Sequence, residues 1–115
     1  MRAILGTVAL SLIVAGTADA QDWILMNGDE IAEVLTDRSV TYDNGATQRF
    51  FASGRTLYTH GEPSWGSWEV RGNEYCSLWP PSPTWDCYVV QSANPDEIVF
   101  LDDFGNRFEG RIVVE

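Results

Sequence analysis

The sequence has no lysine. Its seven basic residues are all arginine, they face 17 Asp and Glu, and the formal charge is −10. Phosphate backbones and anionic lipid surfaces are held by clustered Lys and Arg. This chain scatters its arginines among excess acid, which excludes nucleic-acid binding as a reading. Histidine occurs once, at His60. A Ser-His-Asp or Cys-His nucleophile would need that residue as its base, yet it stands at the end of a strand pattern beside Gly61, a surface position. Walker and dinucleotide-binding glycine patterns are absent, as is the EF-hand spacing. Asp96, Glu97, Asp102, Asp103 and Asn106 therefore read as a solvated acidic rim rather than a calcium loop. With this many acids a glycosidase carboxylate pair can always be picked out, so its presence carries no information. The sequence predicts no catalytic residue, no metal and no cofactor. A hydrolase built on His60 or on two carboxylates ranks last among the functional readings.

A long hydrophobic run is also missing. Ile4 to Ala15 is uncharged and mostly apolar over 12 residues, whereas a membrane helix needs about 18–20. Arg2 precedes that run, and Ala18-Asp19-Ala20 follows it as an A-x-A cleavage signal. This three-part pattern predicts a secretory signal peptide over 1–20 and a mature single domain over 21–115. The expected location is periplasmic or secreted, in a bacterium, with no membrane span. Cysteine is scarce too. Cys76 and Cys87 lack the C-x-x-C spacing of metal or redox pairs, and in an oxidising compartment they are expected to form a disulfide. Closing a loop with ten residues between the two cysteines stabilises by about 2–3 kcal/mol in the chain-entropy model.

What is present is β pattern. One helix is predicted over about 28–36. Asn27 is its N-cap with Glu30 three residues on, Met26 and Ile31 occupy the staple positions, and Ile31, Val34 and Leu35 form one apolar face. After it, strand signals recur every 8–12 residues. Asn44-Gly45 predicts a two-residue hairpin pairing Val40 with Arg49 and Tyr42 with Thr47, with Phe51 on the face of Val40 and Tyr42. Arg55–His60 is the next strand, Gly61 to Ser64 a loop, and Trp65–Arg71 a strand with Trp68 and Val70 on one face. If Cys76 faces Cys87, Leu78 faces Trp85 and the three prolines fall in the loop 79–84, where no ladder hydrogen bond is needed of them. Glu97–Asp102 and Arg107–Val114 complete the pattern. The expected fold is mainly β with one short N-terminal helix: about eight antiparallel strands in a meander, forming a curved sheet or small barrel.

The 14 aromatic residues all lie after the leader. Large rings give a small β domain its core, which accounts for Trp68. Alternation places Trp65 and Trp79 on the opposite face or in a loop, with Tyr75 and Tyr88 as a cross-strand pair there. These four are the candidate binding patch.

The order of Arg49-Phe50-Phe51-Ala52-Ser53-Gly54-Arg55, Gly66-Ser67-Trp68-Glu69-Val70, Tyr75-Cys76 and Cys87-Tyr88-Val89-Val90 resembles a group of small secreted alphaproteobacterial domains. The match extends to Asn27-Gly28-Asp29-Glu30-Ile31 ahead of the sheet. That resemblance implies a periplasmic β domain and no particular activity. The Gly66-x-Trp68 unit is more loosely similar to lipocalin-like barrels. Together these features suggest a non-catalytic module that binds a protein or envelope component, for example by inhibiting a basic lysozyme, with charge speeding association. The alternative is a carrier of a small apolar ligand, of lipocalin-like type.

Overall fold

In a computed structural model, residues 22–113 are described. The proposed signal peptide and Val114 lie outside them. The described chain forms β1 (Ile24–Leu25), α1 (Gly28–Leu35), β2 (Arg38–Tyr42), β3 (Thr47–Phe50), β4 (Arg55–His60), β5 (Glu62–Arg71), β6 (Glu74–Leu78), β7 (Trp85–Ala93), β8 (Glu97–Leu101) and β9 (Arg107–Ile112). Strands β2 to β9 pair antiparallel in chain order, and the β2–β9 pairing closes them into an eight-stranded barrel. Strand β1 adds to the edge of β7, with Ile24 opposite Ser92. Closure removes the unpaired edges of an open sheet.

Helix α1 blocks one end of the barrel. Its start is set by a full capping box. The Asn27 side chain accepts from the Glu30 amide at 2.9 Å, and the Glu30 carboxylate accepts from the Asn27 amide at 2.9 Å. Ile31 and Leu35 are fully buried, and Met26 is nearly so. They join Val40, Phe50, Trp68, Val90, Ile98, Phe100 and Ile112 in one core, each large side chain contributing about 1.5–3 kcal/mol through removal from water. Gly28 donates its amide to Asn73 Oδ1 at 2.9 Å. A Cβ at Gly28 would lie 2.1 Å from the Gly72 carbonyl oxygen, so only glycine lets the helix come this close to the β5–β6 turn.

The cysteine hairpin has the expected register: Cys76 opposite Cys87, Leu78 opposite Trp85 and Tyr75 opposite Tyr88. The disulfide is formed. The β2–β3 hairpin differs by one residue. Val40 faces Gln48 and Thr41 faces Thr47, and the Tyr42 amide donates to the Ala46 carbonyl. Asp43-Asn44-Gly45 is thus a three-residue turn with only Gly45 left-handed, at φ 91°, the geometry of a type I turn closed by a glycine bulge. The extra residue puts Gln48 and Phe50 inside with Val40, and turns Phe51 and Arg49 outward. The expected loop at Gly61 to Ser64 is also corrected. Strand β5 begins at Glu62, Pro63 pairs with Thr59, and Gly61 alone (φ 85°) turns the chain. Proline fits a ladder wherever its missing N–H is not called on.

Charges occupy the outside of the barrel. Glu69 pairs with Arg71, Arg107 with Glu109, and Arg111 with Asp96 and Glu97. No helix among the described residues is long and apolar enough to cross a membrane.

Candidate functional site

The end of the barrel opposite α1 is not filled. It is rimmed by the β2–β3, β4–β5, β6–β7 and β8–β9 connections and leads into a cavity of about 710 Å³. All four tyrosines of the chain line it: Tyr42, Tyr58, Tyr75 and Tyr88. Trp79, Phe100 and Phe108 add further ring surface. Strand alternation explains the set, since Tyr42, Tyr58, Tyr75, Tyr88, Phe100 and Phe108 all occupy inward positions near the same level of successive strands. The rings touch edge to face or tilted, as their quadrupoles favour. Tyr42 lies 6.1 Å from Tyr58, Tyr58 6.2 Å from Trp79, Tyr75 5.9 Å from Tyr88, and Tyr88 6.1 Å from Phe108.

Trp79 reaches this layer from the β6–β7 loop because Gly66 on β5 leaves a slot. A Cβ there would stand 2.6 Å from Trp79 Cε3. The indole N–H donates to Ser77 Oγ at 3.1 Å.

A polar layer separates the cavity from the apolar core. Gln48 is its hub: its Oε1 accepts from the Tyr42 hydroxyl at 2.7 Å, and its Nε2 donates to Thr56 Oγ1 at 2.9 Å and to the Tyr75 hydroxyl at 3.1 Å. The Thr56 hydroxyl in turn donates to the Arg49 carbonyl at 2.8 Å. A buried amide is tolerable only when satisfied in this way. Burial pushes the Tyr75 phenol up to about 12 and raises Tyr42 well above the ordinary tyrosine value. Burial also raises Tyr88, assisted by the carboxylates of Asp86 and Asp102. The layer is therefore made of neutral phenols. The hydroxyls of Tyr58 and Tyr88 meet no hydrogen-bond partner among the described residues.

The four residues of the candidate patch all contribute to this cavity, though not as a face opposite Trp68. Tyr75 and Tyr88 point into the barrel interior, and the Trp68 ring packs 6.3 Å from Tyr75 within the same core. Trp65 differs. It reaches the cavity from β5, but its ring turns to the outer surface, 5.8 Å from Phe51 with the Arg55 guanidinium 4.6 Å above it. Sequence reasoning left out Tyr42, Tyr58, Phe100, Phe108 and Gln48. Their signal was the shared inward phase of the strands, hidden for Gln48 by the one-residue register difference.

His60 sits exposed at the end of β4. Of the acidic rim residues, Asp96 and Glu97 pair with Arg111, and Asp102 holds the β8–β9 turn. Asp102 accepts from the Phe104 and Asn106 amides at 2.9 Å and from the Asn106 side chain at 2.9 Å; the Asn106 side-chain bond is the main reason its carboxyl falls below the usual range. Among the described residues no group of three or more His, Cys, Asp or Glu is placed to hold a metal ion. The chain matches no family model, no curated protein and no solved structure.

Proposed function

We propose that the barrel binds a small, ring-bearing apolar molecule through its open end, acting as a carrier or receptor rather than an enzyme. The observation that carries this reading is the aromatic cavity of about 710 Å³ at one end of a barrel whose other end is packed solid. A chain under selection only for stability gains by filling such a space, since every void forfeits contact energy. An eight-stranded barrel is wide enough for one small ligand, as lipocalin carriers illustrate, and a cavity within about 300–1,000 Å³ is in the range of small-molecule sites. The disulfide supports a working place outside the cytoplasm, in keeping with the proposed leader and a periplasmic or secreted location.

Titration with N-phenyl-1-naphthylamine, a neutral dye that brightens in apolar surroundings, tests the reading. One saturable site is expected, abolished in Ser64→Trp, which places a large ring at a cavity-lining position of β5. Absence of saturable binding, or equal binding by Ser64→Trp, overturns it. A protein partner is the second reading. The outward stack of Arg55, Trp65 and Phe51 favours it, because exposed rings backed by arginine are common at interface centres. Recovery of a single periplasmic protein by wild type and its loss with Trp65→Ser would support that reading over the first.

A further inference from the structure

We propose that the molecule held in this aromatic well is an organic cation: a quaternary or aromatic ammonium carried on an apolar body. The inference rests on the ligand-binding reading above and adds the charge of the ligand to it. Aromatic faces carry negative quadrupole potential, and a cation stripped of water gains most from several faces at once. The well offers Tyr42, Tyr58, Tyr75, Tyr88, Trp79 and Phe108 around one space. The one cationic side chain among the described residues that borders it, Arg107, has its charge offset by Glu109 at 3.1 Å and its guanidinium set 5.4 Å from the Trp23 ring.

The rim has the opposite sign. Among the described residues Asp43 borders the opening as its unpaired acid, Glu109 there being offset by Arg107, Asp86 and Asp102 act electrostatically on Tyr88, and the chain carries −10 overall. Acid around a low-dielectric opening concentrates cations and repels anions. A fatty acid or other carboxylate would enter against this field and find no counter-charge inside. A neutral ligand would suit the rings but would draw nothing from the acids. Where the cation carries an N–H, as a protonated aromatic amine does, the hydroxyls of Tyr58 and Tyr88, which have no partner among the described residues, can accept a hydrogen bond from it.

Three ligands of nearly one shape separate these cases by calorimetry on the purified protein: benzyltrimethylammonium, its uncharged carbon isostere neopentylbenzene, and the anion phenylmethanesulfonate. The cation is expected to bind at least about ten-fold more tightly than the hydrocarbon, with the anion weakest, and the preference is expected to shrink as salt rises. Tyr58→Leu is expected to weaken the cation about five-fold more than the hydrocarbon, while Tyr58→Phe, which keeps the ring, retains the preference. Equal binding of cation and hydrocarbon overturns the cation assignment and leaves the cavity reading intact. Failure of all three together with the neutral dye overturns both. The wild-type comparison stands even if the leucine variant folds poorly.

Discussion

The two ends of this barrel are built from the same strands and the same alternation, yet one is solid and the other hollow. At the α1 end the inward positions carry Val40, Phe50, Trp68, Val90, Ile98 and Ile112, and the helix adds Ile31 and Leu35 to finish the packing. At the far end the inward positions carry tyrosine in four of the eight barrel strands, and no helix among the described residues covers them. Phenol rings stand off from one another and keep a polar tip, so they line a space without collapsing into it. Gln48, Thr56 and the Tyr75 hydroxyl form the boundary. Stability and recognition are thus assigned to different halves of one closed sheet.

Truncation on the two sides of that boundary tests the division most strongly. Phe50 is fully buried, with rings of Trp68 and Tyr75 packed at 5.6 and 5.7 Å. Phe50→Ala is expected to cost about 3–5 kcal/mol in urea unfolding. Tyr58→Ala, at the mouth, is expected to cost only about 1 kcal/mol while weakening dye binding about ten-fold. Equal losses of stability from the two would show that the mouth is part of the core and the comparison false.

Alkaline pH is the next largest lever, and its sign follows from the buried phenols. Burial holds Tyr75 at about 12, from 10.0. The folded state therefore keeps its proton after the unfolded chain has lost it. The stabilisation is complete below pH 10 and disappears as pH rises from 10 towards 12. At about 1.4 kcal/mol per unit, that amounts to about 3 kcal/mol over the interval. Tyr42 shifts in the same direction and steepens the fall. Melting temperature followed from pH 9 to 12 should drop sharply above 10, with tyrosinate absorbance from these two rings appearing only on unfolding. Tyr75→Phe should flatten the curve. A flat wild-type profile would mean that water reaches the polar layer freely.

Some of this organisation was legible in the sequence for specific reasons. The β6–β7 register followed from two independent constraints, a cysteine pair and three prolines that had to fall in the loop, and both gave the same pairing. Helix α1 was legible because Asn27, Glu30, Met26 and Ile31 sit at fixed capping offsets. The β2–β3 register was not, because Asn-Gly suits a two-residue turn as well as the end of a three-residue one, and one residue moves every side chain to the other face. Alternation also states which residues share a face without stating which face becomes concave. Tyr75 and Tyr88 were grouped correctly and assigned to the wrong side for that reason. The cavity left no motif at all. It arises from side-chain volumes summed around a closed ring of strands, and from Gly66, whose missing Cβ admits Trp79 to the wall.

The smallest expected effect concerns the floor that makes the two ends differ. Helix α1 has 8 residues, too few to be stable alone, so docking of Ile31 and Leu35 holds it in place. The capping box should then adjust the floor without deciding whether it forms. Asn27→Ala removes the acceptor for the Glu30 amide and is expected to cost about 1 kcal/mol. Asn27→Asp, which keeps an acceptor at the positive helix end, should restore most of it. Dye affinity at the mouth should not change in either variant, because the packed half lies between the cap and the cavity. Amide exchange should quicken in α1 and stay slow in β6 and β7, which the disulfide ties together. A loss of dye binding in Asn27→Ala that matched its loss of stability would show that the floor and the mouth open as one unit.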